Sequence, residues 1–515
     1  MGTNCGERKR REPETTVLYR IVLAEWHTFV QRVADGERLV PWFCRREVEG
    51  YLRCGILGHG FARVHCAQCK QDDVVAFSCK GRGFCPSCGT RRMADTAAWL
   101  VDRVLPAVPF RQWVLSLPYR VRLLCAYDPD VCAGVRRILV RAVSGYYERC
   151  ARRKGRPRPR AGAVAWAQRF DSGLRVNLHF HVVWADGVFA HELGSGGPEF
   201  CEHEAVHDED VARLVAVIRD RVLRYLRREG KWPAAEGEAE LAEEAELLLE
   251  LGSAAVQGRA ALGEQAGERD VRVGRGTRSE PFVKGPQCAD VDGFSLHAAV
   301  RVAARDRDRL EHLCRYAGRP AIAESRLSLL ADGRLCYELK KRWKDGTTAV
   351  VMTPQVLMER LCALVPRPRR HLVTYHGAFA PAAGIRPWVV PRVVEEGDGC
   401  RHAPGAAESA AAGEEIEAGD EAGRRMQGRR SVPHLPGKRR RGSRRYRRYS
   451  WAELLRRVYL LDVLVCPRCG GTRRLLAAIH DPASIRKVLE AIGLSADVPV
   501  MAAARAPPRQ SELPW

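Results

Sequence analysis

The chain has 515 residues, too many for one ordinary hydrophobic core, and this length favours roughly three domains. Hydrophobic residues make up 46% of the sequence, but no apolar run approaches the roughly 18 to 20 residues that a membrane span needs. The polar first residues, MGTNCGERKRREPETT, also lack the apolar core of a secretory signal. Composition therefore argues against a membrane or secreted protein and predicts a cytoplasmic one.

Basic residues are in excess and concentrated. Lys and Arg outnumber Asp and Glu by 85 to 62, which gives a formal net charge of +23. Residues 149–160 carry seven basic residues and no acid, and residues 424–449 carry twelve and no acid. Charge runs are often only solvated tails, but these predict a polyanionic partner, DNA of the nucleoid. The densest run, with tyrosines nearby that could stack on bases, is Lys438, Arg439, Arg440 and Arg441.

Apolar spacing predicts the elements of the first half of the chain. Helices are expected over residues 16–35, through 93–104 up to Pro106, and over 128–149, with a strand at 112–117. A cysteine module at 54–88 completes a first domain that we place at 15–105. Two alternating stretches, 163–170 and 175–184, flank an Asp-Ser-Gly turn and predict a β-hairpin.

The second half mixes helices with further antiparallel strands. We predict a helix over 208–228, an acidic stretch at 233–268 that is either an inserted helix or a flexible excursion, a helix ended by Gly318 and Pro320, and a strand meander over 325–352. This mixture favours an α+β domain at 106–394. Residues 395–449 lack an apolar period and predict a disordered linker, followed by a small C-terminal segment at 450–515.

Cysteine spacing points to zinc. A cytosolic chain with 19 cysteines should keep them reduced. Two C-x₂-C pairs, Cys66 with Cys69 and Cys85 with Cys88, are separated by fifteen residues, a spacing typical of four thiolates closing on structural Zn²⁺; reduced core thiols are the alternative. The nearby Cys54 and Cys79, with His59 and His65, allow a second or shared site. A third pair, Cys466 and Cys469, has no further pair after it to complete a site.

The stretch RVNLHFHVVW at 175–184 carries two histidines one residue apart. Because side chains alternate along a strand, Val176, Leu178, Phe180 and Val182 should share one face, and Arg175, Asn177, His179 and His181 the other. An isolated His-x-His is most often the polar face of a half-buried strand, so spacing alone does not assign it a function.

Several motifs together resemble a known family. LRCGILGHGFARVHCAQCKQDDVVAFSCKGRGFCPSCGTRRM is similar to the transposase zinc-binding domain, and NLHFHVVWADGVF to the histidine-hydrophobic-histidine motif of the HUH endonucleases. With CRYAGRPAIAESRLSLL, TYHGAFAP and CPRCGG in this order, the chain resembles the rolling-circle transposases of bacterial insertion sequences over residues 15–395 and 450–485.

The resemblance implies a single-strand DNA endonuclease with a ferredoxin-like antiparallel sheet. It implies that His179 and His181 bind a divalent ion, Mg²⁺ or Mn²⁺, and that Tyr316 attacks a phosphodiester in the single-stranded ends of the protein's own mobile element. The products would be a phosphotyrosine and a 3′ hydroxyl for strand transfer. Flanking Arg315 and Arg319 would contact phosphate.

The resemblance leaves the number of nucleophiles open. Two-tyrosine members carry a second tyrosine four residues ahead, where this chain has His312. The chain therefore reads as a one-tyrosine enzyme, which either uses Tyr316 repeatedly or works with a second protomer in a homo-oligomer.

Other assignments also stay open at this level. Tyr316 could be a core aromatic, Tyr146 and Tyr147 are weaker nucleophile candidates, and the third metal ligand is unassigned among Glu338, Asp186 and His312. Two rival functions share some of these features. A plasmid replication initiator or relaxase would use the same constellation, and a non-catalytic zinc-ribbon DNA-binding protein would need only the basic and cysteine segments.

Overall fold

Helices and antiparallel strands alternate in the computed structural model, which describes residues 11–191, 197–231, 243–273, 285–343, 345–391, 451–459 and 463–505. The helices are α1 (Val17–Asp35), α2 (Trp42–Arg53), α3 (Pro86–Arg103), α4 (Tyr119–Tyr127), α5 (Pro129–Arg153), α6 (Asp208–Arg228), α7 (Glu243–Gln257), α8 (Arg307–Ala317), α9 (Pro354–Leu364), α10 (Arg386–Val389), α11 (Trp451–Tyr459) and α12 (Pro482–Ala491). The strands are β1 (Phe61–Cys66), β2 (Asp72–Ala76), β3 (Phe110–Ser116), β4 (Gly162–Phe170), β5 (Val176–Ala185), β6 (Gly187–His191), β7 (Pro198–Glu202), β8 (Val271–Val273), β9 (Cys288–Val291), β10 (Phe294–Val302), β11 (Leu327–Leu329), β12 (Leu335–Glu338), β13 (Ala349–Met352), β14 (Val373–Gly377) and β15 (Arg473–Ile479).

The central sheet has six antiparallel strands in the order β14-β4-β5-β3-β10-β9. Its four inner strands follow a βαββαβ plan, with α5 between β3 and β4 and α6 between β5 and β10. Their spatial order, β4-β5-β3-β10, is the ferredoxin-like arrangement. The predicted α+β class with an antiparallel sheet is therefore confirmed.

Helices cover both faces of this sheet. On one face, α5 and α6 pack over Leu178, Phe180 and Val182 of β5. On the other face, α3 and α8 pack over Val164 and Val183. The predicted division of β5 into an apolar face and a histidine face is confirmed, and complete burial of a side chain such as Phe180 contributes about 2 kcal/mol to holding the strand in place.

The β4–β5 hairpin contains an irregularity that decides which side chains meet. Phe170 lies opposite Val176, but the register shifts between Gln168 and Phe170, so that Gln168 lies opposite His179. A shift of one residue moves side chains to the other face of a strand. The shift therefore places Gln168 on the same face as the two histidines.

The described part of the acidic stretch belongs to the core. Residues 243–257 form α7, which buries Leu247 and Leu251 in the same hydrophobic cluster as α1 and α9. After it, backbone N–H groups of Ala261 and Leu262 donate to the buried carboxylate of Glu359 at 2.8 and 3.0 Å. The inserted-helix alternative is thus the one that the structure shows for these residues.

The C-terminal segment returns to the N-terminal module. Strand β15 pairs with β1 to give the three-stranded sheet β15-β1-β2, and α12 packs its Ile485 and Leu489 against Leu57 and Phe61. The predicted linker at 395–449, including Lys438, Arg439, Arg440 and Arg441, lies outside the described residues. Across the described ranges, none of the helices has the length and apolar character of a membrane span.

Candidate active site and cysteine clusters

The two histidines of β5 lie side by side on the face covered by α8. Their ring centroids are 4.8 Å apart, because residues two apart on a strand point the same way. His181 is 4% exposed, and His179 is half-buried. The strand between them is fixed by Phe180, which points into the opposite core with no exposed area.

The hydrogen bonds of the histidines leave one nitrogen of each ring facing the site. Nδ1 of His179 donates to the carbonyl oxygen of Asn177 at 2.7 Å, so its Nε2 keeps a lone pair. The amide nitrogen of Gln112, Nε2, lies 3.1 Å from Nδ1 of His181; with the amide rotated by 180°, its oxygen would accept the Nδ1 proton. A ring held through Nδ1 in this way can bind a metal through Nε2.

Both histidines are held neutral. Burial lowers the pKa of His179 to about 4, helped by the charge of Arg319. Burial also lowers the pKa of His181 well below its usual value, with further contributions from His179 and Arg319. Neutral imidazole is the form that binds metal ions, so no proton has to be displaced near neutral pH.

Tyr316 stands over the histidines. Helix α8 begins at an N-cap, Asp306, whose side chain accepts from the N–H of Arg309 at 3.1 Å, and ends before Gly318. Near its C-terminus the Tyr316 ring meets the edge of His181, with 5.6 Å between ring centroids. Tyr316 is 43% exposed. It is therefore an accessible side chain at the histidines and not a core aromatic.

Two cationic side chains lie close to the ring of Tyr316. The guanidinium of Arg319 lies 4.7 Å from the ring centroid of Tyr316, and Nζ of Lys340 lies 6.0 Å from it. Arg315 points elsewhere and pairs with the buried carboxylate of Glu311. Of the two predicted arginines, the structure brings Arg319 alone to the ring of Tyr316.

The cysteines form two groups of four. One consists of Cys54, Cys79, Cys85 and Cys88, and the other of Cys66, Cys69, Cys466 and Cys469; within each group all the sulfur atoms lie within 4.8 Å of one another. The predicted union of Cys66 and Cys69 with Cys85 and Cys88 is therefore wrong.

The elements explain this different pairing. The Cys66 pair closes the β1–β2 turn, whereas Cys85 and Cys88 start α3, next to Cys54 at the end of α2. The candidate ligand His65 instead hydrogen-bonds Asp72 at 2.8 Å.

Comparison with known protein families matches two regions of the chain. Residues 21–117 match the family described as "Transposase zinc-binding domain", and residues 162–385 match the family described as "Putative transposase". The two matches together cover more than half of the sequence. The chain belongs to the rolling-circle transposase family. No curated protein and no solved structure matches it in the same comparisons.

The geometry of the first cysteine group fits a structural zinc in this transposase. Tetrahedral Zn²⁺ with bonds of about 2.3 Å holds its sulfur ligands about 3.8 Å apart. The sulfur separations are 3.8 Å for Cys54–Cys88, 3.4 Å for Cys79–Cys88 and 3.7 Å for Cys85–Cys54. The matched domain and the thiol clusters together support structural zinc.

Gln168 lies beside the two histidines, a position that the sequence did not reveal. It lies opposite His179 on β4 and is 4% exposed. Its Oε1 accepts only a long bond of 3.4 Å from Arg319. The hairpin was predicted, but counting from its turn would put Gln168 on the opposite face, because the register shift has no marker in the sequence.

Several buried polar atoms around the histidines of the transposase have no hydrogen-bond partner among the described residues: Nε2 of His181, Nε2 of Gln168, Nε1 of Trp166, Nε of Arg319 and Oδ1 of Asn177. Buried polar atoms are normally paired, so a group of unpaired atoms in one place favours a binding site. This finding opposes a purely structural role for the histidines.

The structure places the three candidates for the third metal ligand. Asp186 is committed to Arg111 and Arg301 at 2.9 Å each, and to the hydroxyl of Tyr147 at 2.8 Å. His312 and Glu338 are exposed. Within the described residues, the groups of three or more potential His, Cys, Asp or Glu ligands are the two cysteine groups, so no such third side chain joins His179 and His181.

Tyr146 and Tyr147 lie on the other side of the sheet. Both belong to α5, and the hydroxyl of Tyr146 donates to Asp210 at 2.9 Å. Burial raises the pKa of both phenols. These tyrosines hold the fold and are poor candidates for the nucleophile.

Proposed function

We propose that this transposase nicks and rejoins single-stranded DNA at the ends of its own mobile element, with Tyr316 as the nucleophile. The observation that carries this proposal is the position of an exposed tyrosine on α8 over two neutral histidines on β5, of which His181 is buried and His179 half-buried. The unpaired polar atoms beneath it support a bound ligand at the same place.

We infer that Nε2 of His179, Nε2 of His181 and Oε1 of Gln168 hold a divalent ion. Imidazole nitrogen with one amide oxygen suits Mn²⁺ well and also admits Mg²⁺. Three protein ligands leave coordination positions open, which is typical of a catalytic metal. A bound ion would supply Lewis-acid activation of a phosphate oxygen.

The chain's own residues account for the remaining chemistry. The phenol oxygen of Tyr316 forms a bond to phosphorus while the bond from phosphorus to the 3′ oxygen breaks. The phenol proton passes to solvent, and the departing 3′ oxygen takes up a proton to become a hydroxyl. Attack by an incoming 3′ hydroxyl on the phosphotyrosine reverses the step and joins strands.

Arg319 and Lys340 have a distinct role in this scheme. Their positive charges lie beside the tyrosine ring, where they attract the DNA phosphate and stabilise the negative charge that develops in the transition state. Further basic side chains at 152–158, at the end of α5 and in the turn after it, are exposed and suit the phosphate backbone. The run Lys438 to Arg441 is proposed to bind DNA on its sequence alone.

The test is a covalent-adduct assay. Wild-type protein is incubated with single-stranded DNA from the element's ends and Mn²⁺ or Mg²⁺, and a protein–DNA adduct is sought on a denaturing gel. Tyr316→Phe should abolish the adduct, and Tyr119→Phe, at an exposed tyrosine on α4, should retain it. A wild type that forms no adduct with any metal would overturn the nuclease proposal and favour the non-catalytic alternative. An adduct formed by Tyr316→Phe would overturn the assignment of the nucleophile alone.

A mixing experiment asks whether protomers share sites. Because Tyr316 contacts His181 of its own chain, we expect each chain to carry a complete nicking site. A mixture of Tyr316→Phe with a His179→Ala/His181→Ala double variant should then form no adduct. Restored adduct formation in that mixture would show that one protomer supplies the tyrosine to another.

A further inference from the structure

We propose that Cys66, Cys69, Cys466 and Cys469 form a second zinc site, which fastens the C-terminal segment to the N-terminal module. The matched zinc-binding domain ends at residue 117 and contains only half of these ligands. Sulfur atoms from the two halves are 3.5 Å apart for Cys66–Cys469 and 3.6 Å apart for Cys69–Cys466. These separations are close to the roughly 3.8 Å that a tetrahedral zinc tetrathiolate requires.

The two cysteine pairs have the same local backbone. The N–H of Cys66 donates to the carbonyl of Gln71 at 2.9 Å, and the N–H of Cys466 donates to that of Gly471 at 2.8 Å. In each pair the residue after the second cysteine has a positive φ, 54° at Lys70 and 72° at Gly470. The two turns therefore share one backbone form, although a lysine adopts a positive φ only at a cost.

Neither core packing nor disulfides explains this arrangement. Cys69 and Cys469 are exposed, whereas a cysteine that serves only as a small apolar residue is usually buried. A disulfide joins two sulfurs at about 2.05 Å and gives no reason for four to converge. A metal ion with four soft ligands accounts for all four side chains.

The surrounding contacts align the two halves. Arg468, between the C-terminal cysteines, donates to Oε1 of Gln71 at 2.7 Å. The nearly buried Arg473 pairs with Asp73 at 3.2 Å, and the Phe77 and His480 rings stack at 4.5 Å. Strand pairing and these contacts bring the cysteines together, and the ion would then close the tip of the sheet.

Zinc content tests the site directly. Purified full-length protein should contain about two zinc ions per chain, one for each cysteine group. A Cys466→Ser/Cys469→Ser variant should contain one, and so should Cys66→Ser/Cys69→Ser. A control with two serines outside both groups, Cys150→Ser/Cys336→Ser, should still contain two. One zinc in the wild type, or an unchanged zinc content in the Cys466/Cys469 variant, would overturn the proposal.

Hydrogen exchange of the intact chain tests the fastening role. In the Cys466/Cys469 variant, amides of β15 should exchange at least about tenfold faster, while amides of β5 keep their wild-type rates. Equal β15 exchange in variant and wild type would show that zinc does not hold the segment. If the double serine variant fails to fold, the single variant Cys469→His, which keeps a zinc ligand at this position, replaces it in both measurements. It should contain two zinc ions and show slow β15 exchange. A soluble Cys469→His protein with one zinc ion would count against the site.

Discussion

The histidine site and the cysteine clusters differ in how completely their donor atoms would enclose a metal ion. Each cysteine group supplies four sulfurs that close on one another, which leaves no position for substrate. The histidine site supplies two imidazoles and an amide beneath an exposed tyrosine. A closed set suits an ion that holds the fold, and an open set suits an ion that takes part in chemistry. Function and stability should therefore respond separately to changes in the two regions.

The largest expected effect is on the open site. His181→Ala should lower the rate of adduct formation by at least roughly 10³-fold, because a metal ligand beside the nucleophile is lost. Because the variant also loses the buried hydrogen bond to Gln112, circular dichroism should be compared with wild type to check that the fold is kept. Gel quantification of adduct over time measures the effect, and His297→Ala, on β10, serves as the matched control. A rate within tenfold of wild type would remove His181 from the site.

Loss of one ligand from a cysteine group should instead lower the stability of the fold. Cys85→Ser leaves three ligands for the first zinc and should reduce the free energy of unfolding by at least about 3 kcal/mol, with loss of bound zinc. Denaturant unfolding followed by circular dichroism measures the change. Cys469→Ser should cost less, because β15 remains paired with β1. A larger loss of stability for Cys469→Ser than for Cys85→Ser would mean that the second cysteine group stabilises the module more than the first.

Substitutions of Gln168 should change metal binding at the histidine site without changing the zinc sites. Gln168→Ala should weaken Mn²⁺ binding about 10- to 100-fold while the zinc content stays unchanged. Gln168→Glu keeps an oxygen at the same place and should bind Mn²⁺ at least as well as wild type. Electron paramagnetic resonance titration of Mn²⁺ gives both affinities. Equal affinity in wild type and Gln168→Ala would show that the third ligand lies elsewhere.

The smallest effect is the contribution of His179 to the pH dependence of stability. The pKa of His179 is lowered to about 4 in the folded protein, below the roughly 6.5 of an unfolded chain. The stability due to its neutral form is therefore present above pH 6.5 and is lost as the pH falls toward 4. Between pH 7 and 5 the loss should be roughly 2 kcal/mol. Unfolding at both pH values, with His179→Asn as comparison, should show a smaller loss in the variant.

Local patterns predicted much of the fold. The helix over 208–228 forms with the bounds expected from its apolar spacing, and the alternation in β5 placed the two histidines on one face. These features depend on residues that are close in sequence. The spacing of apolar residues shows which side of such an element faces the core. The structure also brings Tyr316 to His181, a pairing that the sequence supplied only through its family resemblance.

The errors and omissions all involve pairings between elements that local sequence patterns do not record. The partner of the Cys66 pair lies about four hundred residues away at Cys466 and Cys469, and nothing in the spacing of either pair states which other pair completes it. Gln168 reaches the histidines through a one-residue shift in the β4–β5 pairing. Tertiary packing sets such register shifts and cluster memberships, so single-sequence patterns do not contain them.

One ion pair links the C-terminal segment to α8, the helix that carries Tyr316. Arg457 on α11 bonds to Glu311 on α8 at 2.6 Å, and Glu311 also holds Arg315, next to Tyr316. A gene copy that ends before residue 451 would still encode each proposed catalytic side chain. Its product would carry half of one zinc site, an open edge on β1 and one cation fewer at the catalytic helix. Such shortened copies should therefore be less stable than the full-length protein even though their catalytic motifs are intact.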